Sequence, residues 1–184
     1  MLEVRHLALD GLLEIRPEQF ADDRGFFSET WNAAAWREVG IDVSFVQDNH
    51  SLSKARGTLR GLHFQAAPAA QAKLVRVTRG SAFDVAVDLR PGSPTYRQWA
   101  GVTLSAATWN QLFVPEGFAH GFLTLEDDTE VQYKASAAYA PAHDRAIRFD
   151  DPAIGIDWPS LATNYLISDK DRAAPLLADL ETGF

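Results

Sequence analysis

Glycine and proline interrupt the middle of this chain every ten or so residues, and the segments between them are short, alternating runs rich in Val, Thr, Phe and Leu. A chain punctuated in this way has no room for long helices and reads as antiparallel β. The clearest run is Phe83 to Leu89. There Phe83, Val85, Val87 and Leu89 share one face, Asp84, Ala86 and Asp88 the other, at a period of two. Lys73 to Thr78 precedes it, joined through Arg79-Gly80-Ser81, a turn in which Gly80 can supply a positive φ, so the two segments make a hairpin. Further strands are expected at Val4 to Leu9, Leu12 to Arg16, Val43 to Gln47, Leu59 to Phe64, Trp99 to Ser105, Gln111 to Val114, Ala119 to Leu125 and Thr129 to Ala135. That many short strands in a chain of 184 residues favour one domain, a sandwich or barrel. Helix is sparse: Asn32 to Val39 is expected as two turns stopped by Gly40, and the tail from Asp171 to Leu180 as another short piece.

Charge narrows the function. Twenty-five Asp and Glu against 17 Lys and Arg leave a net charge of -8, which repels phosphate backbones and excludes a duplex-binding protein. No apolar stretch reaches the ~18 residues of a spanning helix, and Met1 to Ile15 lacks the basic head and apolar run of a signal peptide. The expectation is a soluble cytoplasmic domain with no nucleic acid polymer and no membrane as partner. Zero cysteines exclude a disulfide scaffold, a zinc ribbon and a thiol nucleophile.

Reactive groups must therefore come from His, Lys, Tyr and carboxylates, and two segments concentrate them. In Leu59-Arg60-Gly61-Leu62-His63-Phe64-Gln65, odd spacing puts Arg60 and His63 on opposite faces of a strand unless Gly61 bulges it. In Pro115-Glu116-Gly117-Phe118-Ala119-His120, a turn delivers His120 to the head of a strand. Lys73 opens a strand, where a solvated end is the ordinary fate and an inward-facing ammonium would need a purpose. Tyr133 shares parity with Val131 and is expected to face inward. Arg24 and Glu29, flanking Gly25-Phe26-Phe27, read most simply as a surface ion pair. His6, His50 and His143 read as surface or structural groups.

The Pro-x-Gly-x-x-His turn resembles half of the motif pair of metal-binding cupins, which add a His-x-His pair followed by Glu. Here the residue two after His63 is Gln65, and no Glu follows before Glu116. A divalent ion would lack ligands, so no metal is expected.

Eight segments in order resemble one family, the dTDP-4-dehydrorhamnose 3,5-epimerases: Asp22 to Thr30 (DDRGFFSET), Phe45 to Ser53 (FVQDNHSLS), Leu59 to Gln65 (LRGLHFQ), Lys73 to Arg90, Val114 to Phe122 (VPEGFAHGF), Val131 to Tyr139, Asp150 to Pro159 and Ser168 to Asp171 (SDKD). The resemblance implies a mainly β, cupin-like double-stranded β-helix or jelly roll with a few short helices, residues 1–184 forming a single domain, and a homodimer with strands exchanged near the N-terminus. It implies an isomerase without a cofactor. Its reaction would convert dTDP-4-dehydro-6-deoxyglucose to dTDP-4-dehydrorhamnose in deoxysugar biosynthesis, inverting C3 and C5 through an enolate. Some relatives act only at C3 or only at C5; a non-catalytic nucleotide-sugar binding module is the alternative from another class.

By the same resemblance His63 is the base, oriented by Asp171, Lys73 stabilises the oxygen on C4, and Tyr133 returns the proton. Arg24, Arg60 and His120 match contacts to the diphosphate or sugar. Glu29, Gln47, Asp48 and Asn49 match nucleotide contacts, Tyr139 matches the aromatic that stacks on thymine, and Asp144 and Lys170 lie near the same site.

Overall fold

The structure is a computed structural model that describes residues 2–162 and 164–184. Its strands run in the order β1 (Glu3–His6), β2 (Leu13–Arg16), β3 (Phe20–Asp22), β4 (Gly25–Phe27), β5 (Gln47–Ser53), β6 (Thr58–Gln65), β7 (Lys73–Arg79), β8 (Ser81–Asp88), β9 (Trp99–Ser105), β10 (Gln111–Val114), β11 (Phe118–Thr124), β12 (Thr129–Ala135), β13 (Asp144–Ala146) and β14 (Leu166–Ile167). Helices are few: α1 (Ala33–Glu38), α2 (Asp169–Arg172) and one 3-10 turn, Leu177–Asp179. One sheet has the order β1-β2-β10-β7-β12-β5, the other β13-β6-β11-β8-β9, with β14 added parallel to β6 and β3-β4 standing apart as a hairpin. The antiparallel sandwich is the one expected from the punctuation, and its mainly β, double-stranded β-helix form is the one that the resemblance implied.

The alternating patterns explain the layers. Val75, Val77, Leu112, Val114 and Val131 of the first sheet meet Ala82, Ala86, Val102, Leu104, Phe118 and Phe122 of the second, closing one end of the space between the sheets. The opposite parity is buried too. Val85, Val87 and Leu89 pack outward with Leu59, Leu62 and Leu123 under the C-terminal segment that carries Ile154, Trp158 and Leu177. On the first sheet, Leu13, Ile15, Leu74 and Phe113 are covered by Trp36 of α1. Asn32 caps that helix, its Oδ1 accepting from the N–H groups of Ala34 at 3.0 Å and Ala35 at 3.4 Å, an arrangement worth ~1 kcal/mol.

The structure departs from expectation in several places. The expected hairpin of β7 and β8 does not form: β7 pairs with β10 and β12 in the first sheet and β8 with β11 and β9 in the second, so the turn at Gly80 passes the chain between the sheets. The strand expected at Val43 to Gln47 instead begins at Gln47 and runs to Ser53. Its sequence, Gln-Asp-Asn-His-Ser-Leu-Ser, shows no apolar alternation because it is an edge strand and both of its faces are polar. Val4 to Leu9 ends as a strand at His6, where the chain turns and the Leu7 N–H bonds to Leu12 O at 3.0 Å. The short hairpin β3-β4 and the strands β13 and β14 are additions. In the tail, α2 starts at Asp169 and is a single turn, because Pro175 cannot continue it.

Candidate active site

His63 reaches inward from β6 because that strand bulges. Between His120 and Phe122, two residues of β11 face Arg60 to His63, three residues further along β6. Gly61 sits at the break with φ +121°, and a Cβ there would come within 2.6 Å of Gly121 Cα and 2.8 Å of His120 O. The extra residue restores parity, so Arg60 and His63 line one cavity, as the bulge at Gly61 allows.

That cavity, about 610 Å³, lies between the sheets at the open end. His63 Nε2 stands 2.6 Å from Asp171 Oδ1, with the imidazole partly exposed and the carboxylate buried. Burial works against the charge on Asp171. Hydrogen bonds from His63, Ser168 and the Gly61 N–H outweigh it, and its carboxyl is held below the usual range. The pair is a histidine whose orientation is set by a retained negative charge.

Lys73 is not a solvated strand end. Its side chain is buried, Nζ donating to His63 O at 3.3 Å and lying 5.9 Å from the centre of the Tyr133 ring. Burial lowers its pKa to about 8 against the pull of Asp84 and Asp144. Tyr133 faces inward from β12, as its parity with Val131 requires, and burial raises its pKa, so the phenol is a neutral proton donor. His120, across the ladder from His63, is buried with Nε2 2.8 Å from Asp84 Oδ1. Asp84 is fully buried, although the alternation of its strand gave it only as one of two acids on the face opposite Phe83, Val85 and Val87.

At the mouth, Arg60 lines the cavity with Nε donating to Ser53 Oγ at 3.2 Å and Nη2 to Leu52 O at 3.4 Å. Tyr139 is 57% exposed, its hydroxyl donating to Asp144 Oδ2 at 3.3 Å. Lys170 donates to the same oxygen at 2.8 Å, which raises its pKa.

Five proposed contacts stand elsewhere. Arg24 is exposed in the β3-β4 turn and pairs with Asp22 rather than with Glu29, which is itself exposed outside the cavity. Gln47 lies outside the cavity lining, its Nε2 donating to Asn49 Oδ1 at 3.0 Å and its Oε1 accepting from the Tyr139 N–H at 2.9 Å. Asp48 and Asn49 border a second, smaller depression, where Asp48 pairs with Lys134. Among the described residues no three His, Asp or Glu side chains gather where a metal ion could be held.

Fold and cavity together define an acid–base enzyme of the double-stranded β-helix class. Residues 6–179 match the family model described as dTDP-4-dehydrorhamnose 3,5-epimerase. A protein of that name from Sinorhizobium fredii is 54% identical over 170 residues, 92% of this chain and 87% of its own. Among solved structures, the Bacillus anthracis dTDP-4-dehydrorhamnose 3,5-epimerase with TDP and PPi bound superposes with a TM-score of 0.93 at 46% identity, covering 96% of this chain and 100% of that one. A dTDP-6-deoxy-D-glucose-3,5-epimerase from Legionella pneumophila, in complex with dTDP-4-keto-L-rhamnose, gives a TM-score of 0.94 at 43% identity over 98% and 95% of the two chains. The chain belongs to the dTDP-4-dehydrorhamnose 3,5-epimerase family and is an isomerase.

Proposed function

We propose that this protein epimerises dTDP-4-dehydro-6-deoxyglucose at C3 and C5 to give dTDP-4-dehydrorhamnose. The observation that carries this reading is the convergence in one cavity of the His63–Asp171 dyad, the buried Lys73 ammonium and the neutral Tyr133 phenol. C3 and C5 both flank the C4 ketone, so removal of either proton gives an enolate, given a base and a partner for the oxyanion. His63 takes the proton. Lys73 meets the charge developing on the C4 oxygen, and does so strongly because it is out of water. Tyr133 returns a proton. It stands on the first sheet and His63 on the second, so the two approach the sugar from opposite walls, as inversion requires.

Arg60 and His120 serve the diphosphate and sugar, and Tyr139 serves the base, with Asp144 and Lys170 beside it. Arg24 and Glu29 act from a second protomer. Supporting this, the hairpin that carries Arg24 leaves Phe20, Phe26 and Phe27 exposed at 57%, 54% and 69%, a strongly apolar arm for a free surface. We place the protein in the cytoplasm as a homodimer.

The test is product analysis by NMR on the nucleotide sugar with wild type and Tyr133→Phe. Wild type should give the inverted sugar. The variant should still exchange the acidic protons with solvent while inverting at least tenfold more slowly than it exchanges. Exchange and inversion lost in equal measure would remove Tyr133 from the proton-return step.

A further inference from the structure

Gln65 holds the position, two residues after His63, at which metal-binding cupins set a histidine, and its amide is fully engaged in another task. The side chain is buried in the cavity wall and bonds only backbone. Its Nε2 donates to Ala69 O at 2.7 Å and Ala138 O at 3.2 Å, and its Oε1 accepts from the Ala140 N–H at 2.7 Å. Gln71 Nε2 donates to Ala137 O at 2.7 Å, and Gln47 Oε1 accepts from the Tyr139 N–H at 2.9 Å. Each residue from Ala137 to Ala140 is thus tied through one backbone group to a glutamine. The segment needs such ties. Apart from Tyr139 it consists of alanines, which have no side chains long enough to anchor it, and it belongs to neither helix nor strand.

We propose that Gln65 and Gln71 are positioning residues that set affinity for the nucleobase, by fixing the backbone that presents the exposed Tyr139 ring as a stacking platform. A platform ordered beforehand spares the ligand the entropy of ordering it on binding. Only a residue that donates and accepts at once can hold both Ala138 O and Ala140 N–H, which glutamine does and the histidine of a metal site, committed to its ion, does not. The inference rests on the reading of Tyr139 as the residue that receives the base.

The experiment is calorimetric titration of the full chain with thymidine diphosphate and, separately, with inorganic pyrophosphate, which has no base. Gln65→Leu should weaken thymidine diphosphate about tenfold, and Gln65→Glu, which keeps the bond from Ala140 but loses both donations, by an intermediate factor. Pyrophosphate affinity should not move. Equal weakening of both ligands, or of neither, overturns the proposal, as does a loss in Gln65→Leu that persists at full size in the Tyr139→Ala background. Tyr139→Ala alone separates the two readings. If it leaves thymidine diphosphate affinity unchanged, the base platform itself is wrong; if it weakens binding while Gln65→Leu does not, only the glutamine clamp is wrong. Gln71→Leu, at a half-buried position, carries the same test should Gln65→Leu fail to fold.

Discussion

At Lys73 two effects oppose each other: burial removes water from the ammonium and lowers its pKa to about 8, while Asp84 and Asp144 hold the charge in place. The group is mostly charged at neutral pH and loses its proton as pH rises through 8. The kcat/KM of the free enzyme should therefore fall on an alkaline limb near pH 8. Lys73→Arg, whose guanidinium does not titrate in this range, should abolish that limb while lowering the rate about a hundredfold through altered reach. A limb unmoved in Lys73→Arg would assign it to another group. At this scale the sequence was informative about type and poor about environment. Parity put Tyr133 inward correctly, and the bulge at Gly61 could be posed as a condition. Whether Lys73 sat in water or in the core depended on β12 and the His63 carbonyl, partners distant in sequence. Asp84 and Gln65 went unread because their roles consist of hydrogen bonds that no local pattern records.

Elements were legible wherever one face of a strand was apolar and the other was not. Both strands β7 and β8 were found, with Gly80 at φ +74° in the turn between them, but they do not pair as a hairpin, because the turn carries the chain from one sheet to the other. The polar edge strand β5 was misplaced for want of that contrast. The tail shows a different limit: α2 has only one turn, too short for periodicity, yet it delivers Asp171 to the dyad. Its start is fixed by Ser168, whose hydroxyl accepts from the Asp171 N–H at 3.1 Å. Ser168→Ala should cost ~1 kcal/mol of stability in denaturant unfolding. It should also lower kcat several-fold with little change in KM, and Ser168→Thr should restore both. Stability lost with kcat intact would mean that the Gly61 N–H alone is enough to aim the carboxylate.

For the whole molecule, net charge excluded a nucleic acid polymer but said nothing of a single nucleotide, since screening confines the field of exposed groups to ~10 Å. The cavity of one chain is lined by Arg60, Lys73 and Lys170 against Asp144 and Asp171, a modest cationic excess for a diphosphate. Arg24 from a second protomer would raise it. If so, Arg24→Ala and His63→Ala should each be impaired alone, and an equimolar mixture allowed to exchange subunits should recover about a quarter of wild-type activity, from the one intact site of each mixed dimer. No recovery in mixtures shown to contain mixed dimers would confine Arg24 to its own chain. The central claim is that one base serves both carbons beside the ketone. Proton NMR of dTDP-4-dehydro-6-deoxyglucose incubated with the enzyme in deuterium oxide tests it most directly. Signals from the protons on C3 and C5 should both disappear with wild type and both persist with His63→Ala; loss at neither carbon with wild type, or loss undiminished in the variant, would contradict it.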